Sequence, residues 1–341
     1  MRFSLTPDQT ALRDAVRELL TDLCPPALVR SAWSTSTVDG LWTALAEQGL
    51  FGAIIPATDG GLGLDETDLL PLLEEIGYAA VPLPVAETAM VAAPLLAAAG
   101  DPTGHLPGIL AGTIRIALAN DAIVPYGHRA DLALALADDA VRLVPVPAEA
   151  PVASTVDGSR AAIRLDRSGR FDLSSRFDLS GGATVTEDPD LIVRSRDRAA
   201  LASAAQLLGL GRRMLDLTVG YVSDRRQFGR PVGSFQAVQH QLADAARGLE
   251  FAGPAVLAAG WALANGAATA PRDTSAAVLL AVEAAQAMAR TAIQCHGAIG
   301  YTVEYDLHLY AKRTWALAAG CDLDAHLDRL ATALNLTGTS R

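Results

Sequence analysis

Three long runs of helical periodicity, over 197–224, 235–265 and 273–296, are separated by short turns containing Gly or Pro. Helices of that length leave apolar stripes that must cover one another, so the C-terminal part is expected to form a bundle. A last helical pair over 304–335 completes it. Residues 6–22 begin with a Thr-Pro helix start and carry Leu12, Val16, Leu19 and Leu20 on one face. Further helices are predicted over 39–48 and 85–99. Another follows the Gly-rich loop Asp59–Asp65, where Asp65 or Thr67 can cap it and Leu69, Leu72 and Ile76 mark its apolar side.

Near Thr113 the texture changes. Ile114–Ala119, Leu132–Leu136, Ala140–Val144 and Ala161–Leu165 are short, β-branched or alternating runs punctuated by Gly, Pro and Asp, which predicts a small antiparallel β domain. The order α, β, α predicts an α+β chain, mostly α. Its expected parts are an N-terminal helical domain (1–112), a reduced middle β domain (113–188) and a C-terminal four-helix domain (189–341).

At 341 residues, half of them apolar, the chain has ample material for a core. A net charge of −11 with scattered basic residues argues against nucleic acid and anionic membranes as partners. Cys24, Cys295 and Cys321 are too few and too widely spaced for a disulfide framework or a zinc site. The N-terminus runs into a charged amphipathic helix, and the apolar runs at 89–99 and 276–289 read as broken before membrane-spanning length. A soluble, cytoplasmic protein is expected.

The densest polar signal is Arg225-Arg226-Gln227-Phe228-Gly229-Arg230-Pro231, followed by Ser234-Phe235-Gln236-Ala237-Val238-Gln239-His240. It gathers cations, amides and an aromatic ring at the break between two long helices. A guanidinium fork can bind a diphosphate in bidentate fashion. Gly297 and Gly300 permit close backbone approach, although Gly297-Ala298-Ile299-Gly300 follows a helix and is no Rossmann phosphate loop. Read plainly, Arg225 can instead answer a helix dipole and the two glycines can simply end a helix.

Together with Leu73-Glu74-Glu75-Ile76-Gly77, the Ile54-Ile55-Pro56…Gly60-Gly61-Leu62-Gly63 loop and Gln294-Cys295-His296-Gly297-Ala298-Ile299-Gly300-Tyr301, this cluster resembles the acyl-CoA dehydrogenase family over nearly the whole chain. The resemblance implies FAD lying across a dimer interface, with the ring on one subunit's β domain and the pyrophosphate and adenosine held by its neighbour's C-terminal helices. On that basis Arg225 and Gln227 would meet the pyrophosphate of a partner's FAD, with Phe228 and Gln236 beside it. Gln294, Gly297 and Ala298 would face the adenosine end.

The same resemblance exposes departures. A dehydrogenase of this kind needs a carboxylate to take the α-proton while flavin accepts the β-hydride. The family's two positions for that Glu fall on Ala199 and Ala319, so no catalytic residue is assigned. The family's flavin-ring loop is also missing, because Ile114–Asp121 leads straight into Ala122-Ile123-Val124-Pro125 and no tryptophan occurs between Trp42 and Trp261. Asp197 lies about 200° around the helix from Ala199. Asp322 and Asp324 read as helix-start residues. His296 beside Cys295 reads as packing around the glycine turn, and His240, His308 and His326 lack metal-ligand spacing.

The resemblance thus implies the non-catalytic subunit of a heteromeric acyl-CoA dehydrogenase of lipid metabolism, the type that in bacteria acts on bulky thioesters such as steroid side chains. FAD would be shared with a full-length catalytic subunit, as a heterodimer or α2β2, and the acyl-CoA would be bound mainly by that partner. Two other readings stand beside it: an autonomous homomeric enzyme with a relocated base, and a redox-inactive scaffold or acyl-binding protein of the same fold.

Overall fold

The computed structural model describes residues 4–34, 38–120, 123–147, 149–150, 152–164 and 182–336. Its helices and strands run in the order α1 Pro7–Leu23, α2 Pro26–Ser31, α3 Asp39–Glu47, α4 Glu66–Tyr78, a π-helical stretch Glu87–Ala92 continuing into α5 Ala93–Ala98, and α6 Leu106–Leu110. There follow β1 Ile116–Ala119, β2 Ile123–Pro125, β3 Leu132–Leu136, β4 Val141–Pro145, β5 Val152–Ala153, β6 Ala162–Arg164 and β7 Ala183–Thr186. The last part holds α7 Pro189–Asp224, a hairpin of β8 Arg226–Gln227 and β9 Arg230–Pro231, then α8 Gln236–Ala264, α9 Ala270–His296, α10 Leu307–Ala319 and α11 Leu323–Ala333. This is the mostly helical α+β order expected.

By its contacts the chain divides into two compact units. One comprises residues 1–26, 70–80 and 200–341. Here α8 packs along α9, which α10 and α11 also cover. Thr6 opens α1 with a full capping box with Gln9, satisfying N–H groups that the first turn cannot. The C-terminal stretch of α4 and α7 meet backbone to backbone. A Cβ on Gly209 would lie 1.9 Å from the Glu74 carbonyl oxygen, and one on Gly77 would lie 2.2 Å from that of Gln206. Arg17 forks onto Glu75 at 2.6 and 3.0 Å, and Arg212 pairs with Glu74.

Against the sequence expectation, α9 with the turn after it (Ala270–Tyr301) is long and apolar enough to cross a membrane by length and composition. Within the run 276–289 only Glu283 carries a charge, which does not interrupt the apolar stretch sufficiently. In the structure 56% of its most apolar window is buried, as in a core helix.

The other unit comprises residues 27–69 and 81–199. Asp65 accepts from the Thr67 N–H at 2.7 Å and caps α4, as one of the two alternatives required. The sheet region is small, with strand orders β1-β3-β4-β7 and β2-β6-β5. Its expected all-antiparallel pairing needs one correction, because β1 and β3 are parallel. The Asn120–Ile123 bridge sends the chain from β1 into β2, which pairs with β6 in the second sheet. The chain re-enters the first sheet at β3 running the same way as β1. Ala117, Val124, Tyr126, Ala133 and Ile163 form one apolar cluster across both sheets. Asp121, Ala122 and Leu165 lie outside the described residues.

Candidate cofactor-binding site

The cation-rich segment folds as a two-residue β-hairpin. Arg226 pairs with Pro231 and Gln227 with Arg230, and the Val232 N–H closes onto the Arg225 carbonyl at 2.8 Å. Phe228 and Gly229 at its tip have φ of 52° and 81°. Both positive values are those of a type I′ turn, in which a Phe is strained where Gly is not. The bend turns the Phe228 ring out to 92% exposure. Phe235 stays half-buried, edge-on to Phe228 at 6.2 Å and under the Arg230 guanidinium at 4.0 Å.

Arg225, Gln227 and Gln236 are exposed. Among the described residues Arg225 forms no ion pair. Gln236 is the first residue of a 29-residue helix whose first turn has no acidic residue. The free N–H groups there and the positive end of the dipole favour an anion.

Gln294, Gly297 and Ala298, the second predicted group, lie at the end of α9 and are also exposed. Gly297 has φ 64° and ψ −137°, open to glycine and strained for other residues, and its N–H caps the helix on the Gln294 carbonyl. The turn folds back so closely that a Cβ on Gly300 would lie 3.1 Å from the Ile293 carbonyl oxygen. The helix-ending role is therefore real, and it leaves the outer face of the turn open.

The two groups are joined by a contact the sequence reading did not anticipate. Tyr221, one turn before Arg225, stacks on His296 at 4.3 Å between ring centres and donates its hydroxyl to the His296 carbonyl at 3.3 Å. Tyr305 leans on the same imidazole at 4.8 Å. The spacing of Tyr221 and Arg225, four apart on one helix face, was a readable signal. The pairing across 75 residues was not. An open groove of about 600 Å³ runs along this face of α7, lined by Arg213, Asp216, Gly220, Tyr221, Asp224 and Arg225, with Tyr305 opposite. Its volume falls within the range of ligand sites.

Ala199 is half-buried within α7, and Ala319 is exposed at the end of α10. Neither can accept a proton. Asp197 is 2% exposed and partnered inside the fold. Asp322 caps α11 through the Ala325 N–H at 3.0 Å, the helix-start role expected, and Asp324 is an exposed first-turn residue. His326 meets the Ser275 hydroxyl at 3.0 Å, His240 is exposed and His308 is buried. Among the described residues no group of His, Cys, Asp and Glu is arranged to hold a metal.

The fold and these motifs define a class. Residues 6–105 match the N-terminal domain of acyl-CoA dehydrogenases, and residues 191–320 match their C-terminal domain. The chain belongs to the acyl-CoA dehydrogenase family, oxidoreductases acting on CH–CH bonds. It is 34% identical to the acyl-CoA dehydrogenase IpdE2 of Mycobacterium tuberculosis over 317 residues, 91% of this chain and 92% of that one. It is 30% identical to FadE34 of the same organism across 99% of this chain but 49% of the relative. Among solved structures, the Tcur3481-Tcur3483 steroid acyl-CoA dehydrogenase gives a TM-score of 0.81 at 27% identity, covering 96% of this chain and 98% of that one. The ChsE4-ChsE5 complex from Mycobacterium tuberculosis gives 0.80 at 25%, covering 99% and 100%.

Proposed function

We propose that this chain is the non-catalytic subunit of a heteromeric acyl-CoA dehydrogenase and presents the pyrophosphate and adenosine side of an FAD site to a full-length partner. The observation that carries this reading is the Arg225–Phe228 hairpin. It offers a guanidinium without an internal partner, an amide and an exposed aromatic ring beside a helix N-terminus. Such groups suit an external diphosphate better than the chain's own core. Similarity to the Tcur3481-Tcur3483 steroid enzyme and to the ChsE4-ChsE5 complex supports a partner subunit and a bulky steroid-type thioester.

Bound FAD supplies the acceptor for the substrate β-hydride. This chain's contribution is to bind and orient. Arg225 and Gln227 hold the diphosphate, Phe228 and Gln236 flank it, and Gln294, Gly297 and Ala298 meet the adenosine end. The α-proton is taken by a carboxylate of the partner, because Ala199 and Ala319 occupy the family's base positions here. The direct step from β1 to β2 leaves no insertion for a flavin-ring loop, so contacts to the ring would have to come from the partner. The three segments 1–112, 113–188 and 189–341 then have separate tasks: packing, a reduced sheet, and the cofactor face.

Expression tests this. The chain produced alone should be colourless, and yellow flavoprotein should form on co-expression with a full-length acyl-CoA dehydrogenase partner. Stoichiometric flavin in the chain alone would contradict the proposal and favour an autonomous homomeric enzyme.

A further inference from the structure

His296 closes α9 and is 4% exposed. Its Nδ1 lies 2.7 Å from the Ala292 carbonyl oxygen, which can only accept, so the hydrogen sits on Nδ1 and Nε2 carries a bare lone pair. That Nε2 is buried and has no hydrogen-bond partner. An acceptor without a donor in a dry site is unfavourable, and an apolar ring would fill the space without that cost. The imidazole is nonetheless tightly held. Tyr221 stacks on it with 21° between ring planes, Tyr305 leans on it at 47°, and the two phenol rings meet edge-on at 6.0 Å.

What the trio connects explains its place. Tyr221 accepts the Arg225 N–H on its carbonyl at 2.8 Å, so its position sets where the Arg225 hairpin begins. His296 stands between Gln294 and Gly297, and its carbonyl takes the Tyr221 hydroxyl. Resting on the reading of these two segments as the nucleotide-facing groups, we propose that His296 is a positioning residue. Its neutral ring, clamped between Tyr221 and Tyr305, holds the Gln294–Ala298 turn and the Arg225–Phe228 hairpin in one fixed arrangement.

A pH dependence follows. The ionisable groups in contact with the imidazole are Tyr221 and Tyr305; Cys295 precedes it on α9, and Arg213, Asp216, Asp224 and Arg225 line the groove that these two tyrosines share. None forms an ion pair with His296, and Asp216 is engaged by the Tyr78 hydroxyl at 2.8 Å. Burial pushes the imidazole below its ordinary value, with the Ala292 carbonyl opposing in part. Protonation would put an N–H on Nε2 with no acceptor and an unpaired charge in a dry site. Phenol faces attract a cation only weakly, so the clamp opens as pH falls.

The test measures FAD affinity by flavin fluorescence, from pH 5 to 8.5, on the full chain in complex with its catalytic partner. Wild type, His296→Phe, His296→Ala and Arg225→Ala are compared, with melting curves to confirm that each variant is folded. Wild type should lose about tenfold in affinity between pH 7.5 and pH 5 as the imidazole gains its proton. His296→Phe keeps a stacking ring without a titratable group, so it should bind within about twofold of wild type at pH 7.5 and show no acid loss. His296→Ala should bind about tenfold more weakly throughout. In ¹H–¹³C spectra the His296 ring should titrate below the ordinary histidine range. If His296→Phe shows the same acid loss as wild type while Arg225→Ala releases FAD, the positioning role is wrong and the cofactor reading stands. If Arg225→Ala retains FAD, the cofactor reading itself fails.

Discussion

Arg198 and Arg225 stand toward opposite ends of α7, and the fold treats them in opposite ways. Arg198 is 8% exposed and forks onto Glu66 at 2.8 and 3.0 Å, where Arg194 joins at 2.9 Å. Burial pushes the Glu66 carboxyl up, but the two guanidinium groups outweigh it and hold it below the ordinary carboxylate range. Every charge in that cluster is answered from within. Among the described residues Arg225 forms no ion pair; it is exposed and shares its hairpin with a 92% exposed Phe228. The difference teaches where to look for function. The inner cluster serves the fold, and the outer one presents its groups to solvent, which is the feature on which the proposed cofactor contact rests.

Removing Glu66 should break the inner cluster with the largest effect. Glu66→Ala leaves Arg198 buried and unpaired, which should cost about 3–5 kcal/mol in urea unfolding. The sign with pH follows from the lowered carboxyl. Its stabilisation is present above the unfolded value near 4.5 and is lost as pH falls through the folded one, so the wild-type advantage over Glu66→Ala should shrink in acid.

Next come two glycines of α7. Gly209→Ala drives a Cβ against the Glu74 carbonyl and should cost about 1–3 kcal/mol or more. Gly220→Ala meets nothing within 4 Å and should gain up to about 1 kcal/mol from helix propensity while narrowing the groove it lines. Thermal melts of the pair separate packing from binding surface on one helix.

A smaller effect is expected at Glu74, whose carboxyl burial pushes up to about 6 despite Arg212. A raised carboxyl means that the native state holds its proton longer, so wild-type stability should decline as pH climbs from about 4.5 through about 6. Glu74→Gln should flatten that slope in a pH series of unfolding curves.

The long helices were legible because their signal is local and repeats every three or four residues. The first turns of α7 were missed. There the helix starts at Pro189 behind an Asp188 that accepts the Asp190 N–H at 2.9 Å, but Arg194 and Arg196, paired with Glu66 and Asp138, interrupt the apolar stripe over 189–196. The parallel β1–β3 pair escaped for another reason. Strand direction depends on which sheet the intervening β2 joins, and no local pattern encodes that. At the candidate site, the exposed residues are the ones that recognisable motifs point to. The stack of Tyr221, His296 and Tyr305 was not, since its contacts span up to 84 residues of chain and exist only after α7 and α9 have packed.

Arg225→Ala is the counterpart of the Glu66 substitution and should be nearly silent in stability, within about 0.5 kcal/mol, because no internal partner is lost. Its effect should fall instead on the cofactor. The most direct measurement is the flavin-to-protein ratio of the purified two-subunit complex, wild type against Arg225→Ala, with size exclusion confirming that both subunits remain assembled. The account predicts an intact complex that has lost its flavin. An intact complex holding flavin at the wild-type ratio would contradict it.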